Sequence, residues 1–200
     1  MNADDDATDR QWPAMLTWRS HDCTRIESVR VNLSGNRIKA TGRIVAAATA
    51  ANPAFSASYD LVTDDNGATK RLSLDITLAE RDRQLSIHRD EENMWLVTDH
   101  QGQSRDSYEG AMDVDVVFSP FFNALPIRRA GLQNEAGSIS VPVVYVHLPD
   151  LNVTAETISY SGPGPDAGEG IKLHSPVTET TVVIDADGFI VDYPGLAERI

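Results

Sequence analysis

The sequence predicts an antiparallel, mainly β protein with a few short helical turns, and three observations carry that expectation. Apolar residues recur at every second position through much of the chain, the spacing of strands with one buried face. Clusters of Gly, Asn, Asp and Ser interrupt these runs at hairpin intervals. No segment has the 3.6-residue apolar spacing of a long amphipathic helix, and nothing repeats at a fixed period.

The elements follow in order. Residues 1 to 11, with three consecutive aspartates and little to bury, read as a disordered acidic tail, and residues 12 to 200 as one β domain. Trp12-Pro13 through Trp18 opens that domain. Val29, Val31 and Leu33 alternate with Arg30 and Asn32, and the chain turns at Ser34-Gly35-Asn36. Ile38, Ala40, Gly42 and Ile44 then return against Arg37, Lys39, Thr41 and Arg43, which makes a hairpin with one apolar and one basic face. Ala46 to Ala51 reads either as a helical turn or as a loose connector. Phe55, Ala57, Tyr59 and Leu61 form the next strand, closed by Asp64-Asp65-Asn66-Gly67. Leu72, Leu74, Ile76 and Leu78 keep strict period two, followed by Leu85 and Ile87 and by a short strand over Met94 to Thr98.

Beyond Gly137, Ile139 to Leu148 is apolar on both faces, as in a strand covered from both sides, while Pro142 within it points to an edge or a bulge. Val153 to Tyr160 is a further strand. Gly162 to Gly170 is a flexible loop that lacks the Gly-Lys-Ser/Thr of a phosphate cradle. Thr180 to Ile184 and Phe189 to Tyr193 pair across Asp185-Ala-Asp-Gly188; the acid spacing fails a calcium loop, so a hairpin turn is expected.

Composition narrows the function. Two hundred residues, 41% of them hydrophobic, suffice for a real core. A net charge of -13 opposes nonspecific binding to nucleic acid and to anionic lipid surfaces. Cys23 is the single cysteine, which excludes an intramolecular disulfide and a thiolate metal cluster. No apolar run approaches the roughly 20 residues of a membrane span. With no secretory signal read in its first residues, the expectation is a cytoplasmic protein without stable membrane insertion. The five histidines form no pair at ligand spacing, and no metal or cofactor is expected.

The chain is organised around Asp113-Val-Asp-Val-Val-Phe-Ser-Pro-Phe-Phe-Asn-Ala-Leu-Pro-Ile-Arg-Arg129. It begins as a strand in which Asp113 and Asp115 share a face, and Pro120 ends regular pairing because it has no N–H to give. Phe121, Phe122, Leu125 and Ile127 are too apolar for a solvated loop, so Asn123, Arg128 and Arg129 among them must be paired. The expected pairing joins Asp113 and Asp115 to Arg128 or Arg129, with Arg199 also free to reach these acids. Two carboxylates about 6.5 to 7 Å apart on a strand also match an acid–base pair, so a hydrolase acting on a glycosidic or ester bond is the alternative. Catalysis by Cys23 beside His21 lacks an orienting group, and the enzyme reading is the less favoured one.

This block resembles the signature of a bacterial family described as putative glycolipid-binding proteins. Asp185-Ala-Asp-Gly-Phe-Ile-Val-Asp-Tyr-Pro-Gly-Leu-Ala-Glu-Arg199 resembles the family's C-terminal pattern, with fainter matches at Trp18, Trp95 and Val143-Val-Tyr-Val-His-Leu-Pro149. The chain departs from the family at Phe122, where a polar residue is usual, and at Glu156, where a Gln is usual. The resemblance implies a curved antiparallel sheet or half-open barrel, similar to bacterial lipoprotein carriers, with an apolar concave face that accepts a lipid or glycolipid. Asp113, Asp115, Phe121, Phe122, Asn123, Arg128, Arg129, Tyr145, Tyr160, Tyr193 and Arg199 are the candidate ligand-contacting residues, the tyrosines as platforms for a sugar ring. An interaction module that uses its β edges is the third reading. The sequence leaves the oligomeric state open.

Overall fold

Alternation in the sequence becomes alternation in burial. Along Arg37–Ala46, Ile38, Ala40, Gly42 and Ile44 turn inward while Arg37, Lys39, Thr41 and Arg43 face solvent. The same pleat repeats across the computed structural model, which describes residues 11–162 and 170–200. The expected acidic tail and glycine-rich loop fall outside those residues, apart from their ends at Gln11, Gly162 and Gly170.

The chain first runs through β1 (Ala14–Ser20), β2 (Arg25–Ser34), β3 (Arg37–Ala46), β4 (Phe55–Thr63) and β5 (Thr69–Leu78). It continues through β6 (Asp82–Arg89), β7 (Trp95–Asp99), β8 (Gly102–Asp106) and β9 (Asp113–Val116). A 3-10 turn, Phe121–Asn123, leads into the short helix α1 (Ala124–Arg129). The last six strands are β10 (Ser138–His147), β11 (Asn152–Ser161), β12 (Ile171–Ser175), β13 (Thr178–Ile184), β14 (Ile190–Tyr193) and β15 (Ala197–Arg199). All belong to one open, curved sheet ordered β8-β7-β6-β5-β4-β3-β2-β1-β15-β14-β13-β12-β11-β10-β9. Neighbours are antiparallel except β9, which runs parallel to β10 with Tyr145 opposite Asp115. The sheet is therefore mixed. Among the described residues no helix is long and apolar enough to cross a membrane.

Several expectations are refined. Ala47 to Asn52 is a connector without helix. Pro142 lies just beyond the β9 pairing, which starts at Val143, so it stands where β10 is an edge. The Phe121-Phe122 segment, too apolar for a solvated loop, is one of the short helical turns, and Pro126 is tolerated because it falls in the first turn of α1, where N–H groups have no intrahelical partner. β8 is exposed throughout and carries no apolar alternation to announce it.

Two apolar clusters fill the interior. The first joins the inner faces of β1 to β7 to Phe121, Phe122, Ala124 and Leu125, and the second joins Ile127 to the inner faces of β10 to β14. β10 separates them. Val144 and Val146 face the first cluster, Val143 and Tyr145 the second, so the strand is covered on both sides as its two-faced apolar run predicts. Where the sheet curves over the helical segment the aromatic rings are in contact: Tyr59 to Phe122 at 5.1 Å, Phe121 to Phe122 at 5.3 Å, and Phe121 to Phe189 at 6.1 Å. Gly42 makes room for this. A Cβ there would lie 2.1 Å from Cζ of Tyr59, its cross-strand neighbour, so only glycine lets that ring lie across β3.

Candidate functional site

The site is built at the end of β9. Asp113 and Asp115 alternate with Val114 and Val116, which are committed to the first cluster, so both carboxylates are turned to the side of the second. Their fates then diverge. Asp113, 1% exposed, accepts a hydrogen bond from Arg129 at 2.5 Å, and the Arg89–Asp64 ion pair lies close by. Burial pushes its carboxyl up, and Arg129 pulls it back. Asp115, 7% exposed, has no cation partner among the described residues. Burial, with Asp113 and Glu27 adding like charge, pushes it up to about 8, while the Val116 N–H pulls the other way. At neutral pH Asp115 is largely a carboxylic acid, able to donate a hydrogen bond as well as accept one.

Asp115 opens onto a cavity of about 400 Å³, a size within the range of small-molecule sites. One wall comes from the β9 exit: Asp115, Val116, Val117, Phe118, Ser119 and Asn123. Tyr145, His147 and Leu148 at the end of β10 form the second wall. The third is built by Ser175, Val177 and Thr178 from the β12–β13 turn and by Tyr193, Pro194, Gly195 and Leu196 after β14. Phe118 is held at φ 74°, a region that a bulky side chain rarely adopts, and the Arg25 guanidinium stacks on its ring at 4.7 Å. Asn123 is fixed from behind: Tyr160 donates to its Oδ1 at 3.1 Å, and its Nδ2 donates to the Ser119 carbonyl. Burial raises the Tyr145 and Tyr193 hydroxyls, and the Asp115 charge adds to the effect, so both remain neutral donors.

Of the candidate residues, Asp115, Asn123, Tyr145 and Tyr193 line the cavity, and Tyr160 supports it through Asn123. Phe121 and Phe122 are buried in the first cluster, away from the walls. The two arginines part company. Arg129 takes Asp113, whereas Arg128 stacks on Phe189 at 5.5 Å and donates to the Asp187 carbonyl. Arg199 does not reach the central acids; it pairs with Asp185 of the β13–β14 turn at 2.6 Å, because β15 lies next to β14. The expected hairpin turn there is real, with the Asp185 carboxylate accepting from the N–H groups of Asp187 and Phe189. Asp113 is buried, paired with Arg129 and absent from the cavity walls, so the two carboxylates do not face a common space as an acid–base pair must. The cavity lining is mainly apolar, interrupted by the polar groups of Asp115, Ser119, Asn123 and His147, while Phe121 and Phe122 of the 3-10 turn pack into the first cluster.

One buried acid escapes the sequence reading. Glu27, 2% exposed, accepts hydrogen bonds on Oε1 from Tyr59 at 2.7 Å and Ser119 at 2.6 Å, tying β2 and β4 to the cavity wall. Burial pushes it up to about 7 against the pull of these two donors. The signal was present, since Glu27 shares the parity of Val29 and Val31 and so falls on the inner face. His147 and the Ser175–Thr178 turn carried no such mark. Among the described residues, no group of three or more His, Cys, Asp or Glu side chains converges as a metal site would require.

A family profile described as "Putative glycolipid-binding" matches residues 15–199. The solved structure of a DUF1089 family protein from Pseudomonas aeruginosa is similar over 87% of this chain and 92% of that one, with 21% identity and a TM-score of 0.68, so the fold is shared. No curated protein matches.

Proposed function

Because the chain belongs to the putative glycolipid-binding family, we propose that its cavity takes the neutral, hydroxyl-rich headgroup of an amphiphile such as a glycolipid. One observation carries the reading: a nearly buried carboxyl, Asp115, without a cation, faces a cavity that also presents the Asn123 amide and the Tyr145 and Tyr193 rings. Neutral donors and acceptors beside aromatic faces suit sugar hydroxyls and a sugar ring, whereas a phosphate would demand cations. The volume accommodates a headgroup and the start of a chain, not a whole acyl tail. At the mouth Val177, 69% exposed, offers apolar surface to that chain. The protein acts in this reading as a carrier or sensor rather than a hydrolase.

Calorimetric titration with octyl glucoside below its micelle concentration tests it. Saturable binding is expected, at least about tenfold weaker in Tyr193→Ala and Asp115→Ala. Solvent extraction of freshly purified protein should release a sugar-bearing lipid. An empty extract together with no response to octyl glucoside overturns the reading.

A further inference from the structure

On the opposite face of β3 to β6 lies a second depression, of about 640 Å³, which shares no lining residue with the Asp115 cavity. Arg37, Lys39, Lys70, Arg71 and His88 line it around Val62, and no acid does. In a chain with 30 acidic and 17 basic residues, that concentration of one sign is against the composition. The strand registers place it. Lys39 is opposite Val62, Val62 opposite Arg71, and Arg71 opposite His88, so these side chains form one rank across four strands. Lys39 and Arg71, two strands apart, stand roughly 10 Å from each other with Val62 between them. Lys39, Lys70 and Arg71 have no ion-pair partner among the described residues, and Arg37 reaches only Asp65 at 3.6 Å, with both largely exposed. Such a pair is worth little. Asp60 lines an adjoining depression that shares Lys39, Val62 and Arg71 with this one, and its carboxylate accepts a hydrogen bond from Thr41 at 2.7 Å.

Cations left unpaired at close quarters repel one another, and an anion relieves that repulsion. We propose that this groove binds a compact organic polyanion, a small molecule with two phosphate groups spaced to bridge Lys39 and Arg71 across Val62. Its size and shape are decided by the surroundings. The groove is concave and lacks the exposed large apolar side chains a bilayer would take up; those on this protein, such as Met15, Val45 and Val177, are elsewhere. The net charge of -13 repels extended polyanions, whose charges would overlie acidic surface, but a ligand confined to the groove is screened from acids more than about 8 Å away at physiological salt.

The full chain titrated with fructose 1,6-bisphosphate, a sugar carrying a phosphate at each end, gives the test. One-to-one binding is expected that weakens as salt is raised. Because both side chains are exposed, the double variant Lys39→Gln/Arg71→Gln should keep the melting temperature and the octyl glucoside response while losing about tenfold or more in bisphosphate affinity. No binding at millimolar concentration, or equal binding by the double variant, overturns the proposal. So does a response confined to phosphatidylglycerol vesicles or single-stranded RNA.

Discussion

The two halves of the sheet obey the same alternation and end differently. Against β1 to β7 the interior is solid, with Phe121 and Phe122 filling the curve over Tyr59. Against β10 to β14 the large inward rings are Tyr145, Tyr160 and Tyr193, whose hydroxyls bring polar groups into an otherwise apolar cluster, and a cavity stays open between the clusters. What divides them is a few residues of helix. The Phe121–Asn123 turn and α1 present four apolar side chains to the first half and only Ile127 to the second. A curved sheet is thus neither a carrier nor a plain core by its strands alone; the segment laid against it decides.

The comparison is broken most strongly at the plug. Phe121→Ala should cost about 4 kcal/mol of unfolding free energy, since a fully buried ring in contact with three others leaves a cavity that the pleated walls cannot collapse to fill. Urea denaturation measures it, and a loss under about 1 kcal/mol would mean the first half is not close-packed. Gly42→Ala comes next at about 3 kcal/mol, because the new Cβ drives the Tyr59 ring off β3 and with it the hydrogen bond to Glu27. Tyr59→Leu made in the same background should recover part of that loss; if it does not, the ring is not the obstacle.

Much of the solid half was legible, because Val29 to Leu78 spells its burial in period two and its turns in Gly and Asn. The cavity was only half legible. Asp115 and Asn123 stand in the central block and were marked by being polar among apolar neighbours. His147, Val177 and Leu196 were not, since a cavity wall is made by where strands end, and strand ends have no periodic signature. The partners of the arginines were equally hidden: Arg128 and Arg129 are adjacent in sequence, yet the helical turn sends them to Asp187 and Asp113, on different elements. β15, three residues long, is too short for alternation to register, and it determines that Arg199 meets Asp185.

A smaller effect comes from the acids at the boundary between the halves. Glu27 is raised from 4.5 to about 7 and Asp115 from 3.8 to about 8, so the folded protein holds protons that the unfolded chain has released. Their stabilising contribution is complete below the unfolded values and is lost as pH rises through about 7 and then about 8. The urea midpoint should therefore fall between pH 5 and 8, with Glu27 responsible for on the order of 3 kcal/mol. Glu27→Gln should flatten that slope up to about pH 7, and Asp115→Asn should flatten it across the whole interval. A midpoint that rises over the same interval would mean both groups are ionised in the fold.

The smallest expected change in stability belongs to the cavity mouth, and it sharpens the comparison most. Val177→Ser alters an exposed side chain, so unfolding should shift by no more than about 0.5 kcal/mol. If the open half takes a headgroup inside and the start of a chain outside, the variant loses only the chain's apolar contact. Octyl glucoside binding should then weaken about threefold, roughly the worth of a partly buried methyl pair, while binding of free glucose stays unchanged. Equal losses for both would place Val177 against the sugar and the chain on another wall, with Leu148 and Leu196 the next apolar side chains to substitute.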